Sequence, residues 1–295
     1  MTVSRLVRLS LLLAVSASTL GARLHAAATE VSVSPGIVVA GSPELLRVAA
    51  AEAASIDGEW LGRKLQFFPA SDHHGWFALA GVDVEQAEGP SILQIHIHVA
   101  NSTARDLNQT IDIHPAHYRT GVLTVGPKFV SPGPEEQQQI EADSKLKEKV
   151  FAASADRPLW SGSFRAPVHA APTDSFGTRR TFNGKLASIH KGMDFRAPLG
   201  TIVKAGNSGI VVLARPLYYE GNCVVLDHGL GLYTISMHFS RIDVHEGQRV
   251  AAGDPLGLSG ATGRVTGPHL HWAVRWQGAS LDPAKLLRIN LSALP

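Results

Sequence analysis

The sequence contains a single cysteine, Cys223, so no disulfide can form within the chain. Its setting, Asn222-Cys223-Val224-Val225-Leu226, reads as a buried strand in which the thiol is a small core side chain. Basic runs are also missing, and a net charge of +2 without a Lys/Arg cluster argues against a nucleic-acid reader. After residue 28 no apolar stretch approaches the roughly 20 residues needed to span a hydrocarbon core, so no membrane span is expected in the mature chain. No Gly-Lys-Ser/Thr loop is present to cradle phosphate, and Gly257-Leu258-Ser259-Gly260 misses the spacing of a nucleophile elbow. Internal repeats and low-complexity tracts are lacking too. The remainder is the composition of an ordinary globular protein, 44% apolar and 18% charged.

At 295 residues the chain exceeds the usual size of one domain, and two are expected. Residues 1–28 read as an export signal: Arg5 and Arg8 precede an apolar run from Leu9 to about Leu20, and Leu24-His25-Ala26-Ala27-Ala28 offers small residues for cleavage. From 29 to 128, short apolar runs alternate with turn residues (37–39, 45–48, 56–60, 65–68, 76–82, 92–99 and 109–113), the pattern of an immunoglobulin-like β-sandwich. Residues 129–160 read as a linker with a helix from Glu135 to about Ala152, acidic at its start and lysine-rich at its end, as the helix dipole favours. Its apolar stripe (Ile140, Leu146, Val150) is thin, so weak docking is expected. Residues 161–295 again read as mainly β, with strands over 164–168, 209–213, 222–227, 232–238, 248–251 and 269–276 and a closing helical turn near 283–287. The fold class is mainly β throughout.

The histidines carry the chemistry. If 269–276 is a strand, its two-residue period puts His269 and His271 on one face and Leu270 and Trp272 on the other. With His190 and Asp194 on a preceding loop, and His238 between the two segments, they supply the nitrogen and oxygen donors of a catalytic zinc site that keeps one position for water. Spacing alone does not establish such a site. His96 and His98 also share a strand face, but no His-plus-carboxylate loop precedes them, and they read as solvated; so do His73-His74, His114 and His117.

Five segments resemble, in order and with ordinary spacing, the successive motifs of the lysostaphin/LytM-type zinc endopeptidases: Phe176-Gly177-Thr178-Arg179-Arg180, Phe182-Asn183-Gly184, His190-Lys191-Gly192-Met193-Asp194-Phe195, Tyr233 to Ser240, and Gly260-Ala261-Thr262-Gly263 through Gly267-Pro268-His269-Leu270-His271. The likeness covers roughly 161–290. It implies that His190, Asp194 and His271 bind one Zn2+ ion, that His238 and His269 are catalytic beside it, and that the substrate is the peptide stems of bacterial peptidoglycan. His269 is the first choice for the base and His238 for the oxyanion stabiliser. Asn183 is a candidate groove residue, and the glycines of 260–267 suggest a loop that a substrate can approach closely. Trp272-Ala273-Val274 departs from the Phe-Glu-aliphatic run more usual after the second histidine, so a carboxylate often found there is missing. A stretch from Val244 to Gly257 also resembles biotinyl carrier domains, but no lysine stands at a hairpin tip to accept the group.

The reading is an exported zinc metalloendopeptidase of the periplasm or cell envelope. The alternative is a non-catalytic envelope module that binds peptidoglycan or activates another hydrolase. The N-terminal region carries no motif of its own; either it or the linker could cover the zinc groove.

Overall fold

The computed structural model describes residues 30–70, 75–100, 103–184 and 186–292. The expected export segment 1–28 and the His73-His74 pair lie outside these residues.

The N-terminal region forms two sheets. One runs Glu30–Ser34, Pro43–Ala49, Trp76–Gly81, Phe68–Pro69; the other runs Val38–Val39, Arg105–His114, Gly89–Val99, Ala53–Trp60, Arg63–Gln66. The alternation in Gly89–Val99 explains its placement. Leu93, Ile95 and Ile97 are fully buried, whereas Gln94 and His98 are exposed. These side chains share a core with Leu46, Val48, Ala78 and Ala80 of the first sheet. His96 and His98 bond cross-strand carboxylates, Asp106 at 2.7 Å and Asp57 at 2.8 Å, on the solvated face.

The C-terminal region is one ten-stranded sheet with a main path of Pro172–Asp174, Met193–Phe195, Leu270–Trp276, Leu232–Ile242, Gly221–Asp227, Gly209–Leu217, Arg249–Val250. Ile202–Lys204, Pro255–Ser259 and Ala279–Leu281 complete it from the side. The expected strand over 164–168 is not formed. Arg165 and Lys204 make single backbone bonds there, to Gly206 and Pro167, and Pro167 has no N–H to extend a ladder. Phe164 and Val168 are nevertheless buried, as anchors of an irregular segment.

Helix α1, Pro134–Phe151, matches the expected span to within a residue, but it docks more firmly than its thin stripe suggests. Leu146, Val150 and Phe151 pack on Leu213, Leu217, Cys223, Val225 and Tyr233 of the sheet. Polar ties add to this: the buried Asp143 accepts from the Tyr218 N–H at 2.7 Å, and Lys147 pairs with Glu220 at 2.6 Å.

The two regions pack against each other. Gly81 lies against the Leu281 side chain, the Asp282 N–H donates to the Gly41 carbonyl at 2.7 Å, and the Ser280 N–H donates to Asp83 at 2.7 Å. A closing turn of helix, α2 (Pro283–Leu286), follows, capped by Asp282. The chain leaving the N-terminal sheets also adds a strand to the C-terminal region: Thr120–Leu123 pairs in parallel with Arg179–Phe182, which pairs antiparallel with Leu186–Ile189. This small sheet forms one wall of the cleft that holds the histidines.

Candidate metal centre

Asp194 and His271 are direct cross-strand partners in the antiparallel pair Met193–Phe195 and Leu270–Trp276. The Asp194 position is therefore on a strand rather than a loop, and His190 sits just beyond the end of Leu186–Ile189. The three side chains meet. His190 Nε2 is 3.1 Å from Asp194 Oδ1 and 3.0 Å from His271 Nδ1, and Asp194 Oδ1 is 2.9 Å from His271 Nδ1. Among the described residues this is the one group of three such donors close enough to share an ion. Two imidazoles and one carboxylate suit zinc, with a fourth position left for water.

Each ring is oriented by its other nitrogen or by close packing. His190 Nδ1 donates to the Ser175 carbonyl at 3.0 Å, which leaves Nε2 as a lone pair in the neutral ring. His271 turns its Nδ1 toward the cluster because its far edge lies on Gly192, where an added Cβ would come within 2.5 Å of Nε2. Gly192 thus owes its identity to close approach. Asp194 uses only Oδ1 toward the histidines; Oδ2 accepts from Arg180 Nη2 at 2.8 Å. Arg180 is held in turn by a close double contact with Asp174, and Asp174 is steadied by the Thr178 hydroxyl at 3.0 Å.

His238 and His269 flank this cluster. Their ring centroids are 4.9 Å apart, and His238 lies 6.1 Å from the His271 ring. His238 has a left-handed backbone, φ 67°, at the point where strand Leu232–Ile242 stops pairing with Leu270–Trp276 and goes on to pair with Pro255–Ser259. Its Nδ1 donates to the Thr262 carbonyl and that of His269 to the Gly267 carbonyl, both at 2.8 Å. His269 Nε2 stands 3.8 Å from Asp194 Oδ1.

The electrostatics favour deprotonated ligands. Burial works against a charged Asp194, yet the bonds and charges of His190 and His271 outweigh it and hold the carboxyl well below the usual range. Burial lowers His271, against the pull of Asp194, and burial with the neighbouring His271 and His269 lowers His238 to about 3. Metal binding requires neutral imidazoles and an ionised carboxylate, and the directions for His271 and Asp194 both run that way.

The structure therefore gathers all five expected residues into one cleft of about 550 Å³. It gives Asn183 a different place. At a hairpin turn with φ 49°, the Asn183 side chain accepts from the Val125 N–H at 3.0 Å and donates to the Val125 carbonyl at 2.9 Å, which engages it with the connecting segment. Of the glycines of 260–267, Gly260 abuts the Ser240 N–H and Gly263 the backbone of Gly221, whereas Gly267 has open space around it and lines the cleft. Sequence reasoning passed over Arg180, Asp174 and Gly192. The first and last lie inside the motifs quoted, but nothing in the string separates Arg180 from the exposed Arg179.

A β-rich scaffold with a His/Asp/His cluster and two adjoining imidazoles defines a metallohydrolase type of site. Residues 188–283 match the model of peptidase family M23. Over 111 residues the chain is 45% identical to the peptidoglycan DD-endopeptidase ShyA of Vibrio cholerae, covering 38% of this chain and 26% of that protein. Over 98 residues it is 37% identical to the DD-carboxypeptidase/endopeptidase Mpg of Neisseria meningitidis, covering 33% and 23%. The chain spans about a quarter of the length of these curated relatives. A Pseudomonas aeruginosa crystal structure named for peptidase M23 superposes with a TM-score of 0.65 at 26% identity, covering 84% of this chain and 94% of that one. That likeness extends through the N-terminal region.

Proposed function

We propose that the protein is an exported zinc metalloendopeptidase that hydrolyses the peptide cross-links of bacterial peptidoglycan. The observation that carries this reading is the convergence of His190 Nε2, Asp194 Oδ1 and His271 Nδ1 to within 3.1 Å, with two further imidazoles beside them. The names of the relatives supply the peptidoglycan assignment and with it an envelope location, the periplasm in this reading. Among the described residues no helix is long and apolar enough to cross a membrane. Residues 161–295 form the catalytic unit, 129–160 the linker and 29–128 an accessory β domain.

His190, Asp194 and His271 hold the metal, and Arg180 keeps Asp194 Oδ2 turned away from it. Zinc bound there supplies a Lewis acid, which lowers the pKa of a water toward about 7 and polarises the scissile carbonyl. His269, whose Nδ1 is committed to Gly267, has a free Nε2 lone pair and takes the water's proton. His238, whose ring lies 4.9 Å from that of His269, is the residue that would face the negative charge developing on the carbonyl oxygen.

Zinc content of the purified chain tests the ligand assignment. The wild type should hold about one ion per chain, and Asp194→Ala and His271→Ala should each hold almost none after dialysis against a weak chelator. Retention of a full equivalent by either variant would move the site elsewhere.

A further inference from the structure

Apart from Arg196, which is exposed, and Arg264, the charged groups lining the metal cleft are held in ion pairs. Arg180 is bound by Asp174 and Asp194, Lys191 pairs with Glu85 at 2.7 Å, and Glu220 is held by Lys147 at 2.6 Å. Arg264 is different. Its guanidinium is stacked between two aromatic rings, 4.6 Å from the Phe182 centroid and 4.5 Å from that of Tyr219. It makes no side-chain hydrogen bond or ion pair among the described residues. The loop beneath it is pinned by the Arg264 N–H donating to the Tyr219 carbonyl at 2.8 Å.

Two rings cover the faces of a planar cation and leave its edge, where the N–H donors lie, unoccupied. Arg264 lines the same cavity as the metal ligands, so that edge borders the space a substrate enters. Burial disfavours the Arg264 charge and Arg180 adds to the repulsion, whereas the attraction of Glu220 acts only from beyond ion-pair distance. A partly buried cation of this kind is short of an anion. Donors in a fixed planar fork match a carboxylate through two parallel hydrogen bonds.

We propose that Arg264, clamped by Phe182 and Tyr219, binds a free carboxylate of the peptide substrate and sets the preference of the cleft for acidic peptides. This rests on the peptidase reading above and adds to it a class of substrate. The carboxylate can be the C-terminal one of a stem or one carried on a side chain near the scissile bond; the chemistry at Arg264 is the same.

The test is a binding titration on the zinc-loaded, full-length His269→Ala chain. The probe is a synthetic D-alanyl-diaminopimelate cross-linked peptide in three forms: free acid, C-terminal amide, and side-chain amide. One amidation should weaken binding by about tenfold or more, as loss of a charge-assisted pair does, and which one does so identifies the carboxylate. Arg264→Gln added to the same chain should weaken the free acid by a similar factor and leave the three forms equal. Equal affinity of all three for the Arg264-containing chain, or no binding of any, would overturn the proposal without reliance on a variant that might misfold. Persistence of the preference in a folded Arg264→Gln chain would overturn it as well. Cleavage of the free acid by the wild type is a separate readout: carboxylate-selective binding without cleavage would sink the peptidase reading and leave the receptor standing.

Discussion

Asp194 Oδ2 and Arg180 Nη2 lie 2.8 Å apart, on the side of the carboxylate that faces away from the histidines. This bond decides which oxygen of Asp194 is offered to the metal and at what angle. Arg180→Met should lower zinc affinity by about 10- to 100-fold, the usual effect of removing a partner that orients a ligand. Competition with a fluorescent chelator measures it. Arg180→Lys should recover part of the loss, because a lysine keeps the charge and loses the fork.

Gly192 gives a second handle on the same geometry. A methyl group there would stand 2.5 Å from His271 Nε2 and 2.8 Å from the Trp272 carbonyl, so either ring or strand must shift. Gly192→Ala should cost about 1–3 kcal/mol of stability in the zinc-free chain, the range for overpacking, and weaken zinc binding as well. Thermal unfolding with and without zinc separates the two effects.

Away from the cleft, a buried acid should make stability depend on pH. Glu44 is fully buried where the N-terminal region meets helix α2; Ser42 donates to one of its oxygens, and the other has no partner. Burial raises its carboxyl to about 7, against the opposing effects of Ser42 and Lys285. The protonated form is the one the fold favours. Stability from this group is thus full below about 4.5, the unfolded value, and is lost as pH rises through about 7. The whole loss is about 3 kcal/mol at most. Glu44→Gln should unfold close to the wild-type temperature at pH 4.5 and several degrees above it at pH 8, and scanning calorimetry at the two pH values checks this.

Asn183 should act on the connecting segment rather than on substrate. Its side chain holds both backbone groups of Val125, and Leu123 and Val125 line the cleft. In Asn183→Ala, the amide of Val125 should exchange with deuterium about 10-fold or more faster, for a loss on the order of 1–2 kcal/mol. If this wall restrains access, peptide hydrolysis should rise in the same variant.

The candidate metal site was legible in the sequence because five segments resemble, in order, the motifs of a zinc endopeptidase family; a two-residue strand period accounts only for the shared face of the HxH at 269–271. The N-terminal strands were legible for a related reason: Leu93, Ile95 and Ile97 alternate with polar residues because one face is buried. What could not be read depends on contacts distant in sequence. Arg180 matters through Asp174 and Asp194, and the parallel pairing of Thr120–Leu123 with Arg179–Phe182 joins segments nearly sixty residues apart. For Asn183, expected as a groove residue, the string gives no sign that its side chain bonds both backbone groups of Val125. Short strands such as Met193–Phe195 escaped notice because three residues carry no period.

The most direct test of the account is digestion of purified peptidoglycan by the zinc-loaded chain and by its His269→Ala variant, with products resolved by mass spectrometry. The account predicts new uncross-linked stem peptides from the wild type and a loss of at least about 100-fold in the variant, as expected when a general base is removed while the metal ligands remain. Equal product from both would contradict the assignment of His269. No product from a wild-type chain that holds its zinc would contradict the peptidase reading itself.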